Sequence, residues 1–177
     1  ADDDAHVLGG RVLDFRTRQP QSGPRRSTFL GKSLACTAEQ ATVGIGCNLA
    51  FPRRIFDAIG GFDPDFPNYF DDSDFCIRAR RAGFGFRYVA GAVVYHKGSA
   101  TRQGHAVYLQ ERHSSFAMLK AYRGRPLRLV LFTLGNGLWL LLRLGMWRLQ
   151  GRREDVENLA QGWLAAYRRY WYNRPEY

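Results

Sequence analysis

Cysteine is scarce in this chain: Cys36, Cys47 and Cys76 are the only three among 177 residues, and no two of them form a Cys-x-x-Cys pair. An odd number without that spacing argues against a disulfide framework and against a structural zinc site, and it points to a reducing compartment. The opening Ala1-Asp2-Asp3-Asp4 carries no apolar run, so no signal peptide is expected, and the missing initial Met suggests a processed chain or a fragment. Internal repeats and low-complexity tracts are absent. With 45% hydrophobic and 24% charged residues the composition is globular, which excludes an intrinsically disordered chain.

Acidic side chains are also few: 16 Asp and Glu stand against 26 Lys and Arg, a formal charge of +10. The imbalance is uneven. Residues 1–100 are near neutral at +2, whereas residues 101–177 carry +8. Such an excess implies an anionic partner: a phospholipid surface, nucleic acid or a phosphorylated substrate. Lysine supplies only 3 of the positive charges, a preference that reads as genomic base composition more than chemistry.

Two parts are expected from the pattern of elements: a mixed strand-and-helix part over 1–100 and a basic helical part over 101–177. Val7–Leu13 reads as a buried strand, and 16–32, rich in Arg, Gln, Ser, Gly and Pro, as a loop. Thr42–Phe51 is strand-like, with small residues that permit close backbone approach. Pro52 opens a short helix at its first position, closed by Gly60-Gly61. Asp71-Asp72-Ser73-Asp74 begins a second helix with Arg78, Arg80 and Arg81 in its last turn, a charge order that suits the helix dipole. Asp74 and Arg78 are an i,i+4 pair. Gly83 stops this helix, and two short strands follow near 85–89 and 92–95. Three helices are expected over 102–122, 126–149 and 153–172.

Long hydrophobic runs are missing too. Leu129–Leu142 is the longest uncharged stretch, 14 residues or about 21 Å of helix. A perpendicular membrane span needs about 20 residues. On a helical wheel Arg125, Arg128, Asn136 and Arg143 fall within an arc of about 80°, with Trp139, Trp147 and the leucines around the rest. That geometry suits a helix lying in a membrane interface. The alternative is a helix packed on the domain with its polar stripe in water.

Candidate chemistry centres on the acidic cluster 71–74 and on His96. A carboxylate at a helix N-terminus is kept ionised by the dipole and by free N–H groups, and an ionised, accessible carboxylate can serve as a general base. His96 ends a strand beside Lys97 and Gly98, where an imidazole can reach a metal ion. Alone, each has a plainer explanation: aspartates collect at helix starts as caps, and a single histidine is commonly a surface or core residue.

Taken in order, the residues resemble a known family. Gly46 to Ala100, with Gly46-x-Asn48, the Gly60-Gly61-Phe62-Asp63 turn, Asp71-Asp72-x-Asp74, Arg78, Gly83 and Val94-x-His96-x-Gly98, is similar to the acceptor-side half of family 2 glycosyltransferases, rhamnosyltransferase-like bacterial enzymes among them. The resemblance extends over Val7–Ala100. It implies an α/β fold of the GT-A (Rossmann-like) type, incomplete at its N-terminus, followed by a helical segment.

It further implies an inverting transfer from a nucleotide-sugar to a hydroxyl of a glycan or lipid-linked acceptor. Asp72 takes the position of the catalytic base, and Asp71 replaces the usual Glu with a side chain one methylene shorter. His96 takes the place of a metal ligand for Mg or Mn, the other ligands being expected from an upstream half. Gly46 and Asn48 line the acceptor side, and Asp63 borders it. Lys97 and Arg112 are candidates to stabilise the departing diphosphate. Asp2-Asp3-Asp4 imitates the family's Asp-x-Asp but sits too close to the strand that follows, so a truncated chain, inactive alone, is expected. The resemblance also suggests a cytoplasmic enzyme, peripheral on the inner face of the bacterial plasma membrane, building cell-envelope polysaccharide. Competing readings are a non-catalytic basic module for anionic membranes and a nucleic-acid binder. The second would stack bases on Tyr167, Tyr170, Trp171 and Tyr172, but no nucleic-acid motif accompanies them.

Overall fold

The computed structural model describes residues 5–98 and 106–172. The chain divides into two compact units: most of residues 1–101 form one, while Phe29–Lys32 join the helical C-terminal part in the other. Asp2-Asp3-Asp4 and the first residues of the helix expected from 102 lie outside the described residues.

The first unit is organised around β1 (His6–Asp14), whose Val7 and Val12 are buried. β6 (Gly85–His96) runs parallel to it from His6↔Gly85 to Asp14↔His96. Parallel neighbours need a long crossover, and residues 15–84 supply it. Where two strands were expected near 85–89 and 92–95 there is one. Its register jumps from Gly10↔Val89 to Arg11↔Val93, so Ala90, Gly91 and Ala92 bulge out and break the alternation. Gly10 makes the bulge possible, because a β-carbon there would collide with the Ala92 carbonyl and the Asn48 amide. β5 (Leu49–Ala50) pairs antiparallel with Leu8 and Gly9, and β2 (Pro20–Ser22) with Val12 and Leu13.

The stretch expected as a loop over 16–32 thus contains strand. Besides β2 it holds β3 (Arg25–Ser27), which pairs with β4 (Ser33–Ala35). No alternating apolar pattern announces this hairpin. Its clasp is polar: Arg25 donates from Nε to Ser33 Oγ and from Nη2 to Ser33 O, both at 2.8 Å. The strand expected over 42–51 shrinks to a bridge at Val43, a 3-10 turn over Gly46–Asn48 and the two residues of β5.

Two helices cross between β1 and β6. α1 (Arg53–Ile59) has Pro52 as its N-cap, one position earlier than expected, and ends at Gly60 with φ +75° and ψ 179°, a conformation closed to other residues. α2 (Asp71–Arg81) turns Phe75, Cys76 and Ala79 inward. With Val7, Val43 and Ile55 they form the core, against which Leu49, Phe51, Ile59, Phe84 and Phe86 pack. Burying a side chain of Phe75's size contributes about 1.5–3 kcal/mol.

In the second unit α3 (Ala106–Ala121), α4 (Pro126–Leu149) and α5 (Arg153–Tyr172) pack with Phe29–Lys32. Phe29 stacks on Tyr122 at 4.9 Å, and Tyr122 Oη donates to Phe29 O. Gly162 lets α5 approach α3, since a β-carbon there would lie 2.5 Å from Tyr108 O.

The orientation of α4 corrects the wheel reading. Asn136 is buried and Arg143 partly buried, while Arg125 and Arg128 near the start of the helix are exposed, so only the later half of the polar stripe points inward. Leu127, Val130, Leu131, Leu134, Leu138, Leu141, Leu142 and Leu149 are exposed instead. The reason is polar company inside the unit. Asn136 Nδ2 donates to Ser115 Oγ at 3.0 Å, Ser115 Oγ to Glu111 Oε1 at 2.6 Å, and Lys32 Nζ meets Glu111 Oε2 at 2.7 Å. Buried polar groups go where partners are, and these outweigh the pull of the leucines. α4 is also long and apolar enough by length and composition to cross a membrane.

Candidate active site

Asp72 stands in the first turn of α2. Just before it, Tyr69 and Phe70 hold positive φ of 61° and 70°, a costly backbone for aromatic residues. Phe70 is the N-cap and has no side-chain acceptor, so the helix start is not capped in the usual way. The Asp72 carboxylate turns to another segment instead. Oδ2 accepts the Gly46 N–H at 2.9 Å, and Oδ1 accepts the Ser73 N–H at 2.6 Å. Burial raises the Asp72 pKa above its ordinary value, the Gly46 N–H opposes this, and the neighbouring charge of Asp71 raises it further. A carboxylate on a partly buried residue, and more basic than usual, is suited to accept a proton.

The Gly46–Asn48 turn holds more than Asp72. Asn48 Nδ2 donates to Arg11 O at 3.0 Å and to Ala92 O at 2.9 Å, pinning the turn to β1 and to the bulge of β6. Its amide nitrogen is thus committed to backbone rather than presented to a ligand. Between them Cys47 is exposed, with a thiol pKa raised by burial and, after that, by the Asp72 charge. Sequence reasoning passed over Cys47, although it lies inside the motif.

Asp74 forms the expected pair with Arg78 at 2.7 Å. Arg78 also donates from Nη1 to Ile59 O and from Nη2 to Gly61 O, both at 2.9 Å, tying α2 to the end of α1. Asp63 Oδ1 accepts the Asp65 N–H within the turn that follows.

The other expected site residues have local partners of their own. His96 ends β6, where its Nδ1 is 3.1 Å from Gln21 Oε1, while Gln21 Nε2 donates to Asp14 Oδ2 at 3.0 Å. Gln21 therefore links Asp14 and His96, a link that nothing in the spacing announces. Lys97 Nζ lies 5.2 Å from the Phe15 ring centroid. Arg112 belongs to α3 in the second unit, with Nη1 3.1 Å from His113 Nε2. Among the described residues no three of His, Cys, Asp and Glu cluster as metal ligands.

The mixed sheet, the helices that cross it and the carboxylate at the start of α2 are consistent with part of a GT-A-like glycosyltransferase domain. The sequence model of Glycosyl transferase family group 2 matches residues 25–166. The chain belongs to that family, family 2 of the glycosyltransferases, whose members transfer glycosyl groups and commonly use a divalent metal. The match begins at β3 and continues into α5, so it takes in the helical unit, which the motifs over 7–100 did not reach. Comparison with individually curated proteins returns no significant match.

Proposed function

We propose that Asp72 is the general base of an inverting glycosyl transfer. The acceptor hydroxyl gives its proton to the Asp72 carboxylate as its oxygen attacks C1 of a nucleotide-sugar. The bond from C1 to the diphosphate oxygen breaks on the opposite face and leaves its electron pair on the nucleoside diphosphate. One observation carries this reading. Asp72 is held by a backbone N–H from a separate segment, and burial raises its basicity while the residue stays partly exposed. Asp71 supports it by charge.

The acceptor on this reading is a glycan or lipid-linked hydroxyl, and the enzyme works from the cytoplasmic face of the plasma membrane on cell-envelope polysaccharide. What supports the membrane part is the exposed leucine face of α4, with Arg125 and Arg128 exposed at one end and Arg148, Arg152 and Arg153 exposed at the other. α5 presents Glu154, Glu157, Gln161 and Arg168 to solvent. An apolar face on one helix and a charged one on the next favour a helix lying in the interface over one that spans. The test is transfer from nucleotide-sugars by the wild type and Asp72→Asn, with vesicle flotation alongside. Loss of transfer with retained flotation supports the reading. Unchanged transfer by D72N overturns it.

A further inference from the structure

Along α4 the cations and indoles alternate. Lys32 Nζ lies 3.9 Å from the centroid of Trp139, and Arg143 Cζ lies 5.2 Å from the same ring. Arg143 is also 4.5 Å from Trp147, whose ring takes Arg152 at 4.2 Å. Two of the three cations have a counter-charge. Glu111 neutralises Lys32 at 2.7 Å, and Asp155 neutralises Arg152 at 2.8 Å. Arg143, the middle one, makes no ion pair and no hydrogen bond among the described residues, although its Nε is closed off from solvent. The indole N–H of Trp163, packed against the same apolar cluster, is a second buried donor without a partner.

A partly buried guanidinium without an anion is unfavourable, and stacking on two indoles offsets only part of that. Lys32 feels the excess. Burial lowers its pKa, and the Arg143 charge pushes the same way against the pull of Glu111. The missing partner is an anion whose oxygens match a planar fork of donors, which is the chemistry of phosphate. Its source follows from position. Leu142 and Met146, neighbours of Arg143 on the helix, belong to the exposed apolar surface of α4, so an anion arriving there arrives with acyl chains beside it.

We propose that Arg143, set between Trp139 and Trp147, binds the phosphate group of a membrane lipid. This rests on the membrane reading of α4 and goes beyond it, since a general basic surface requires no particular arginine.

The test uses the full chain and vesicles of phosphatidylcholine with or without phosphatidic acid, read by flotation and by tryptophan emission. Arg143→Gln is compared with Arg148→Gln, which removes the same charge from an exposed position on the same helix. One basic residue near an anionic surface is worth about five-fold in binding. R148Q should lose no more than this, whereas R143Q should lose clearly more and abolish the emission change, and Arg143→Lys should restore part of the binding. Equal losses in R143Q and R148Q overturn the proposal and leave membrane binding standing. Failure of the wild type to float overturns both. An emission change with inorganic phosphate alone, lost in R143Q, overturns the lipid source. Should R143Q not fold, the wild type decides: its emission must respond to phosphatidic acid and not to phosphatidylcholine alone, or the proposal fails.

Discussion

The backbone N–H of Gly46 donates to Asp72 Oδ2 at 2.9 Å, joining two segments 26 residues apart. A backbone donor makes this contact insensitive to the side chain at position 46, yet dependent on where the turn lies. The position of the turn is fixed by Asn48, two residues on, through the carbonyls of Arg11 and Ala92. One face of the short 3-10 turn therefore orients the carboxylate while its end is anchored to the sheet.

Asp72→Asn should reduce glycosyl transfer about 10²- to 10⁴-fold, the usual worth of a positioned general base. It should also stabilise the protein at neutral pH. A carboxyl whose folded pKa is raised above 3.8 binds more protons in the native state than in the unfolded one. Stability is thus full below the unfolded value and falls as pH rises through the window up to the folded value. Thermal melts across pH 3–8, a range that brackets the ordinary aspartate pKa of about 3.9, should show this decline in the wild type and lose part of it in D72N. An unchanged pH dependence would contradict the burial of the carboxylate.

Asn48→Asp should destabilise the chain more than Asn48→Ala. Alanine loses two hydrogen bonds, at about 0.5–1.5 kcal/mol each. Aspartate sets a carboxylate against the two carbonyls that now accept from the amide, adding repulsion to the loss. Chemical denaturation of both variants checks the order, and an equal or reversed order would show that the amide does not pin the bulge.

How much of this was legible in the sequence depends on where the partners lie. α2, α4 and α5 could be read directly, since their periodicity, caps and terminal charges are local, and 126–149 and 153–172 agree to the residue. β2 to β4 could not. They lack apolar alternation, and their clasp joins Arg25 to Ser33 through side-chain geometry that no propensity encodes. β6 reads as two strands because Ala90-Gly91-Ala92 interrupts its pattern, and only the continuous neighbour β1 makes it one. Gly46, Asn48, Asp71 and Asp72 stood out as a motif. The task of Asn48 did not, because its partners are main-chain carbonyls 37 and 44 positions away. The inward turn of α4 was hidden for a similar reason: it depends on Ser115 and Glu111 on another helix.

Arg78→Lys should cost about 2–3 kcal/mol, in the range of hydrogen bonds made by charged groups. Lysine keeps the charge near Asp74, which is 8% exposed, but a single ammonium cannot also reach the carbonyls of Ile59 and Gly61. A double-mutant cycle with Asp74→Ala separates the parts. Coupling between Arg78 and Asp74 should account for only a fraction of the loss, the rest lying in the ties to the α1 terminus. Full coupling would mean that those two carbonyl contacts contribute nothing.

Serine at Leu134, Leu138 and Leu141 should leave folding in water nearly unchanged while abolishing flotation with vesicles. These side chains are 66%, 60% and 67% exposed, so each exchange should alter stability by no more than about 0.5 kcal/mol. Their value appears only when a bilayer covers them, at about 25 cal/mol per Å² of apolar surface removed from water. A matched triple exchange at Arg153, Glu157 and Arg168, exposed on α5, serves as the comparison. Should it abolish flotation as the leucine exchanges do, the contact would be electrostatic and the apolar face of α4 would not be what enters the membrane. Should the leucine variant instead unfold, the face would be packed against protein in solution, and the interfacial reading of α4 would fall.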